Sequence, residues 1–281
     1  MRQFISVTCL YFLFILLIVL PPEIYKIITN DNYTSIPGGE VRAAVRVSKS
    51  KQNKKIKKLI LGDSTGHALY PSEKGYDNIA SMACNQAITF AGQYFLMKNF
   101  LETNKDYPPQ EIILLVTPES FGNDVDIFAY QYFLKPFPII EYKTLYTEHL
   151  YARIKSIPLY WTANFPFIHT SGYTPKIAVP SPIERQSLSK LTYEYLKLMD
   201  SIATAHNIPF RIHATPVRDD KYEVISNITQ DLKNIGTDSL AHLFEPYIES
   251  ITYYPANLFF DHVHLNAKDT PEDYLGILNL D

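Results

Sequence analysis

Short aliphatic runs, each followed at once by a polar turn, set the rhythm of the chain. Leu59-Ile60-Leu61 runs into Gly62-Asp63-Ser64-Thr65, and Ile112-Ile113-Leu114-Leu115-Val116 runs into Thr117-Pro118-Glu119. Residues 208–215 repeat the arrangement ahead of Pro216, and residues 258–260 ahead of Asp261. Continuous apolar runs of this length predict strands buried on both faces. Between them the period changes. Leu188, Leu191, Tyr195, Leu198 and Ile202 recur at three and four residues, which predicts an amphipathic helix within 182–206. A buried helix is expected over 94–101, ending near Asn104, a short strand within 79–87 and another helix within 222–234. Strands alternating with helices predict an α/β fold, a three-layer α/β/α sandwich around a mainly parallel sheet.

Two stretches break this rhythm. Residues 23–57 carry Asn30-Asp31-Asn32, Pro37-Gly38-Gly39 and a lysine-rich run from Lys49 to Lys58, with no sustained period. They read as a linker, so the globular domain is expected to begin near Ile56 and to occupy 58–281. Residues 133–183 hold seven prolines and many aromatics, again without a lasting period. They read as a loop-rich insertion of the kind that forms lids and binding regions. Trp161, Phe165, Phe167 and Tyr173 either line a groove there or pack on the core.

The amino terminus has a different pattern. Residues 4–20 contain no charge, and as a helix they would extend about 25 Å against a hydrocarbon core of about 30 Å. No small-residue cleavage site precedes Pro21-Pro22. Arg2 and the α-amino group precede the run, whereas Glu23 and Lys26 nearly cancel after it, a bias that keeps the amino terminus cytoplasmic. The expectation is a single-pass, uncleaved anchor within 1–22 at the cell membrane, with the domain outside the cytoplasm (periplasmic); a cleaved signal is the alternative.

Composition narrows the classes. A chain of 281 residues is long enough for one sizeable core. A formal charge of −3 leaves no electrostatic footprint for nucleic acid, and the lysine run reads as solvated linker. Two cysteines, Cys9 and Cys84, make no disulfide framework. The 21 tyrosines and 16 phenylalanines fit sugar-stacking surfaces, but the accompanying isoleucine, lysine and asparagine bias is what an AT-rich genome produces.

The chemistry starts at Ser64. Asp63, Ser64 and Thr65 are helix-capping types, so a hydroxyl is expected where a strand ends and a helix begins, the place where open α/β sheets bind ligands. A serine is a weak nucleophile until a histidine accepts its proton, and that histidine needs an acceptor to fix its tautomer. Asp261 and His264 lie three apart behind an apolar run. The carboxylate can meet Nδ1 and leave Nε2 for Ser64. Gly62 to Gly66 also reads G-x-S-x-G, but an elbow serine follows several strands, whereas Ser64 follows the first. A third use of the same residues is a metal site, with Asp261, His262 and His264 as ligands, Asp63 adding a carboxylate and His213 nearby.

These motifs resemble the SGNH (GDSL-type) hydrolase superfamily, in which a Gly-Asp-Ser block follows the first strand and an Asp-x-x-His block lies near the carboxyl terminus. Gly62-Asp63-Ser64 and Asp261-His262-Val263-His264 match both, in that order. The resemblance covers about residues 58–270 and implies a flavodoxin-like sandwich. It implies Ser64 as nucleophile, His264 as general base, Asp261 as its orienting acid and the Ser64 N–H as one oxyanion donor. The middle blocks depart from the pattern. Around Asn85, Phe90 stands where a glycine is expected, which leaves Gly92 as the candidate oxyanion donor. Asn123 lies several residues past the strand that should deliver it.

The membrane-anchored pattern is similar to the polysaccharide acyl-transfer group of that superfamily. It implies an O-acyltransferase or esterase acting on an acylated carbohydrate or small ester, without cofactor or metal, and leaves room for an integral membrane acyl-transfer partner. A non-catalytic glycan-binding envelope protein is the alternative.

Overall fold

The computed structural model describes residues 2–28, 39–72, 75–125, 130–164, 187–235 and 239–266. The aliphatic runs pair as strands β1 (Lys58–Gly62), β2 (Ile79–Ser81), β3 (Glu111–Val116) and β4 (Phe210–Ala214), with β5 (Val217–Arg218) and β6 (Tyr253–Tyr254) as a separate small pair. The helices are α1 (Arg2–Ile28), α2 (Gly39–Ser50), α3 (Ser64–Leu69), α4 (Thr89–Thr103) and α5 (Tyr130–Leu134). They continue as α6 (Ile139–Tyr142), α7 (Glu148–Lys155), α8 (Lys190–Ala205), α9 (Tyr222–Ile235) and α10 (Ala241–Glu249).

The sheet order is β2-β1-β3-β4, with every neighbouring pair parallel. The chain leaves β1 towards β2 on one side and returns to β3 on the other. The switch point of the sheet therefore lies between the carboxyl ends of β1 and β3, where Gly62 stands opposite Leu115. Alternation along the strands divides the interior. Leu59, Leu61, Ile112, Leu114 and Val116 face the larger core, with buried residues of α2, α4, α8 and α10. Ile60, Ile113 and Leu115 face the other side, with Leu69 of α3, Tyr70 and Ile79. Helices thus cover both faces of a mainly parallel sheet. Each fully buried leucine or isoleucine of these strands contributes on the order of 1.5–3 kcal/mol.

Several expectations change. Residues 39–50, read as linker, form α2 on the domain: Ala43 is fully buried and Val47 packs beside it one turn on. The small apolar face is short, and the lysines that follow conceal it. Arg46 of α2 is also buried, donating from Nε to the Ala83 carbonyl at 3.1 Å and lying 3.3 Å from His67 Nδ1 through Nη2. The lysine run is not simply solvated, since Lys58 opens β1 and Lys49 donates to Ser72 Oγ at 3.2 Å.

Where described, the supposed loop-rich insertion is helical, as α5 to α7. Phe133, Phe137 and Tyr142 are buried around Phe95, at ring-centroid distances of 5.9, 5.4 and 5.2 Å. Such ring pairs add about 0.5–1.5 kcal/mol each beyond area burial. Much of the aromatic content is therefore core. Prolines here start helices as well as break them: Pro138 is the N-cap of α6. Trp161 is 50% exposed, while Phe165, Phe167 and Tyr173 lie outside the described residues.

The strand expected at 258–260 is absent. A 3-10 turn, Ala256–Leu258, takes its place after Pro255 ends β6. Helix α10 carried no recognised signal because Pro246 sits inside it.

Helix α1 includes the uncharged amino-terminal run, and its described apolar side chains, among them Phe4, Leu10 and Phe14, are exposed. Those described side chains end at Leu17. Among the described residues no helix is long and apolar enough to cross a membrane.

Candidate active site

Three contacts fix the backbone that carries Ser64. Gly62 has φ +151°, and a Cβ there would lie 2.1 Å from the Leu115 carbonyl oxygen, so β1 can approach β3 this closely only with glycine. The Gln93 side chain of α4 clamps the same residue from the other side. Its Oε1 accepts from the Gly62 N–H at 3.0 Å and its Nε2 donates to the Gly62 carbonyl at 2.6 Å. Asp63 then caps α3 and is 3% exposed.

The Asp63 carboxylate gathers five donors. Oδ1 accepts from the N–H groups of Thr65 at 2.8 Å and Gly66 at 3.3 Å, and from Thr65 Oγ1 at 2.5 Å. Oδ2 accepts from the Thr117 N–H at 3.2 Å and Ser120 Oγ at 2.6 Å. Thr117 and Ser120 follow β3, so one buried carboxylate ties together the two loops of the switch point. Thr65 Oγ1 also lies 2.8 Å from Thr215 Oγ1, which draws in the loop after β4.

Ser64 is the first residue of α3 and is partly exposed. Among the described residues neither its hydroxyl nor its N–H has a hydrogen-bond partner, because Asp63 takes the next two amides. Gly66 has its own packing reason: a Cβ would meet the Leu115 carbonyl oxygen at 2.8 Å.

Asp261 and His264 meet on a turn closed by its own backbone. Phe259 bridges Leu265, the Phe260 N–H donates to the His264 carbonyl at 3.1 Å, and the Asn266 N–H donates to the Leu258 carbonyl at 2.8 Å. Asp261 Oδ1 accepts from the N–H groups of Val263 at 2.9 Å and His264 at 2.7 Å. Its Oδ2 lies 2.7 Å from His264 Nδ1. Facing a carboxylate, Nδ1 carries the proton, which leaves the Nε2 lone pair free to accept one. The Phe260 ring stacks on the imidazole at 5.3 Å and 19°, and Arg218 Nη1 donates to the Asp261 carbonyl at 3.1 Å.

Burial pulls the Asp261 carboxyl upward, but the two backbone amides and the ring N–H hold it below the usual carboxylate value. A lowered folded value means that the group's stabilisation is complete above the unfolded value, near 3.9, and is lost as pH falls through the folded one. Asp261→Asn is therefore expected to lower the urea midpoint at neutral pH, with the difference from the parent shrinking below about pH 4. A difference that persists unchanged into acid would contradict the ionised turn.

The two halves abut. Thr65, Ala68 and Leu69 of α3 line a small cleft together with Val263 and Leu265 of the turn, and Thr215 and Pro216 complete it. Its volume is about 10 Å³, room for roughly one water. Among the described residues no hydrogen bond joins Ser64 to His264.

The remaining expected residues have other surroundings. Gly92 is buried inside α4, where a Cβ would lie 2.8 Å from Ile88 Cβ and 2.9 Å from the Phe137 ring, so close helix packing accounts for this glycine. Asn85 caps the short turn before α4, accepting from the Ala87 N–H at 2.9 Å. Asn123 ends the turn after β3, and its carbonyl accepts from Ser189 Oγ at 2.8 Å.

The described residues contain no group of three or more side chains able to hold a metal ion. Asp63, offered as a ligand on sequence, already accepts its five donors, and His213 Nδ1 lies 2.8 Å from the Ala214 carbonyl.

Gln93, Ser120, Thr215 and Arg218 support this region without having been anticipated. Gln93 alone left a trace, as an amide side chain among the otherwise uncharged and largely apolar residues 90–97. Compared with family models, curated proteins and solved structures, the chain matches none.

Proposed function

We propose that the chain is a serine-dependent acyl-ester enzyme, an O-acyltransferase or esterase acting on an envelope or extracellular polysaccharide. The observation that carries the reading is the Asp261–His264 pair, 2.7 Å apart, on a turn packed against the helix that Ser64 begins. Ser64 Oγ attacks the ester carbonyl while His264 Nε2 takes its proton. The oxyanion formed is stabilised by the Ser64 N–H. His264 then returns the proton to the leaving alcohol as the carbon–oxygen bond breaks. A sugar hydroxyl or water, deprotonated by His264, then attacks the acyl carbonyl, and the Ser64 Oγ–acyl bond breaks as His264 returns that proton to Oγ. Asp261 holds the imidazole in the required tautomer and balances its transient charge. Of the other expected oxyanion donors, Gly92 is packed inside α4, Asn85 caps the turn before it and the Asn123 N–H donates to the Ser120 carbonyl at 3.1 Å, which leaves the Asn123 side-chain amide for that role. In this reading the fold is of the SGNH type, and α1 anchors the domain outside the cytoplasm through its exposed apolar side chains.

A second reading, a non-catalytic glycan-binding domain with a degenerate site, draws support from the 10 Å³ cleft and the open Ser64–His264 pair. Fluorophosphonate labelling of the full-length chain in detergent separates the two. Labelling located on Ser64 by mass spectrometry, lost in His264→Ala and insensitive to EDTA, supports the enzyme. Labelling retained in Ser64→Ala overturns it, and glycan binding without labelling supports the second reading.

A further inference from the structure

Ser64 and His264 share no hydrogen bond among the described residues, so their separation depends on what each half of the site is tied to. The cleft between α3 and the Asp261–His264 turn is lined mostly by apolar side chains, and apolar contacts carry no direction. Directed bonds come instead from one short segment, 215–221, which follows β4 and contains β5.

That segment reaches three parts of the site. At its start, Thr215 Oγ1 lies 2.8 Å from Thr65 Oγ1 on α3. In its middle, Arg218 Nε and Nη2 donate to the two Asp220 carboxylate oxygens at 3.0 and 2.5 Å, and Nη1 donates to the Asp261 carbonyl at 3.1 Å. A guanidinium held along one edge by a carboxylate has little freedom left to lose when it aims its remaining donors. At its end, Lys221 Nζ donates to Glu119 Oε1 at 2.5 Å, and Glu119 Oε2 accepts from Thr117 Oγ1. The Thr117 N–H in turn donates to the carboxylate of Asp63, the residue before Ser64.

These contacts are partly withdrawn from water. The side chains of Lys221 and Glu119 are 24% and 21% exposed, and that of Arg218 is 19% exposed. Such pairs are screened much less than fully exposed ones. The segment is also anchored from behind: β5 pairs with β6, and the Thr215 N–H donates to the Val116 carbonyl at 3.2 Å.

Given serine–histidine chemistry at this site, we infer that residues 215–221 form a clasp that sets the spacing of Ser64 and His264, with Arg218 and Lys221 as its positioning residues. Arg218 holds the turn that carries the base. Lys221 holds the loop whose bonds to Asp63 orient the nucleophile. Arg218 acts through the Asp261 backbone and Lys221 through Glu119 and Thr117, so both work on geometry and not on the bond being broken. The role rests on that chemistry.

The test follows fluorophosphonate labelling and aryl acetate hydrolysis by the full-length chain in detergent. In Arg218→Met the labelling rate and kcat are expected to fall at least about tenfold with KM unchanged, because misplaced reacting groups lose rate and not ground-state binding. In Lys221→Met a fall of at least about fivefold is expected. Exchanging the pair, Glu119→Lys with Lys221→Glu, is expected to restore the rate to within about threefold of the parent. Arg218→Lys keeps the charge without the fork and is expected to recover little. Hydrogen exchange gives a readout apart from activity: amides of 259–266 are expected to exchange at least about fivefold faster in Arg218→Met, with those of β3 unchanged. A parent that neither labels nor hydrolyses overturns the serine–histidine reading, and the positioning role with it. A reactive parent whose Arg218→Met and Lys221→Met variants keep its rate overturns the clasp alone. Slow variants whose β3 amides also exchange faster overturn it in favour of a plain loss of stability. A slow Lys221→Met that the exchanged pair does not relieve overturns the ion pair as the link.

Discussion

Ser64→Ala and His264→Ala are each expected to lower ester hydrolysis by at least about a thousandfold, and the double variant by no more than either alone. Nucleophile and base act on one proton, so removing either leaves the other without a task. Independent surface effects would instead multiply. Ser64 makes no side-chain hydrogen bond among the described residues, so Ser64→Ala is expected to leave stability within about 0.5 kcal/mol of the parent. Hydrolysis of an aryl acetate by the three variants, with urea unfolding of each, is the measurement. Additive losses would show that the two residues do not share a step. An unchanged rate in Ser64→Ala would remove it as nucleophile.

Asp63 has the opposite profile. Asp63→Ala leaves the donors of Thr65, Thr117 and Ser120 facing a cavity in a site that is 3% exposed. Hydrogen bonds to a buried charge are worth about 1.5–3 kcal/mol each, and losses overlap when several share one acceptor, so a net loss of about 3–5 kcal/mol is expected. Asp63→Asn keeps the shape but turns one acceptor into a donor, and about 2–4 kcal/mol is expected. In thermal unfolding the alanine variant is expected to melt about 10 °C lower. Activity is expected to fall with the loss of folded protein, and a full-strength melt with lost activity would instead place Asp63 in the chemistry.

The legible part of the site was local. Asp261 and His264 are three residues apart, so a single turn brings carboxylate and imidazole together, and that geometry is observed. Gly62, Asp63 and Ser64 are adjacent, and the strand-to-helix change between them follows from the aliphatic run and the capping side chain. Gly92 was the harder case. Its place in the sequence suggested a donor, whereas its surroundings, Ile88 and Phe137, give it a packing reason. Phe137 lies 45 residues away in a stretch that looked like loop, so nothing local could reveal the contact.

The class of fold follows from the order of residues alone. Short buried aliphatic runs, three residues at 59–61 and five at 112–116, separated by helical periods, satisfy their backbone most readily as a parallel sheet under helices. That order also determined the Asp261–His264 pairing and the strand-to-helix turn at Ser64. Tertiary packing alone puts residues 39–50 in the domain, because twelve residues with a small apolar face carry too little period to outweigh the lysines that follow. Only it decided that Gln93 and Asp63 lock the switch point, since those bonds join residues 31 and 57 positions apart. And only it placed the turn of Val263 against the helix of Ser64, because that contact depends on how α3 packs on β3, through the missing Cβ of Gly66.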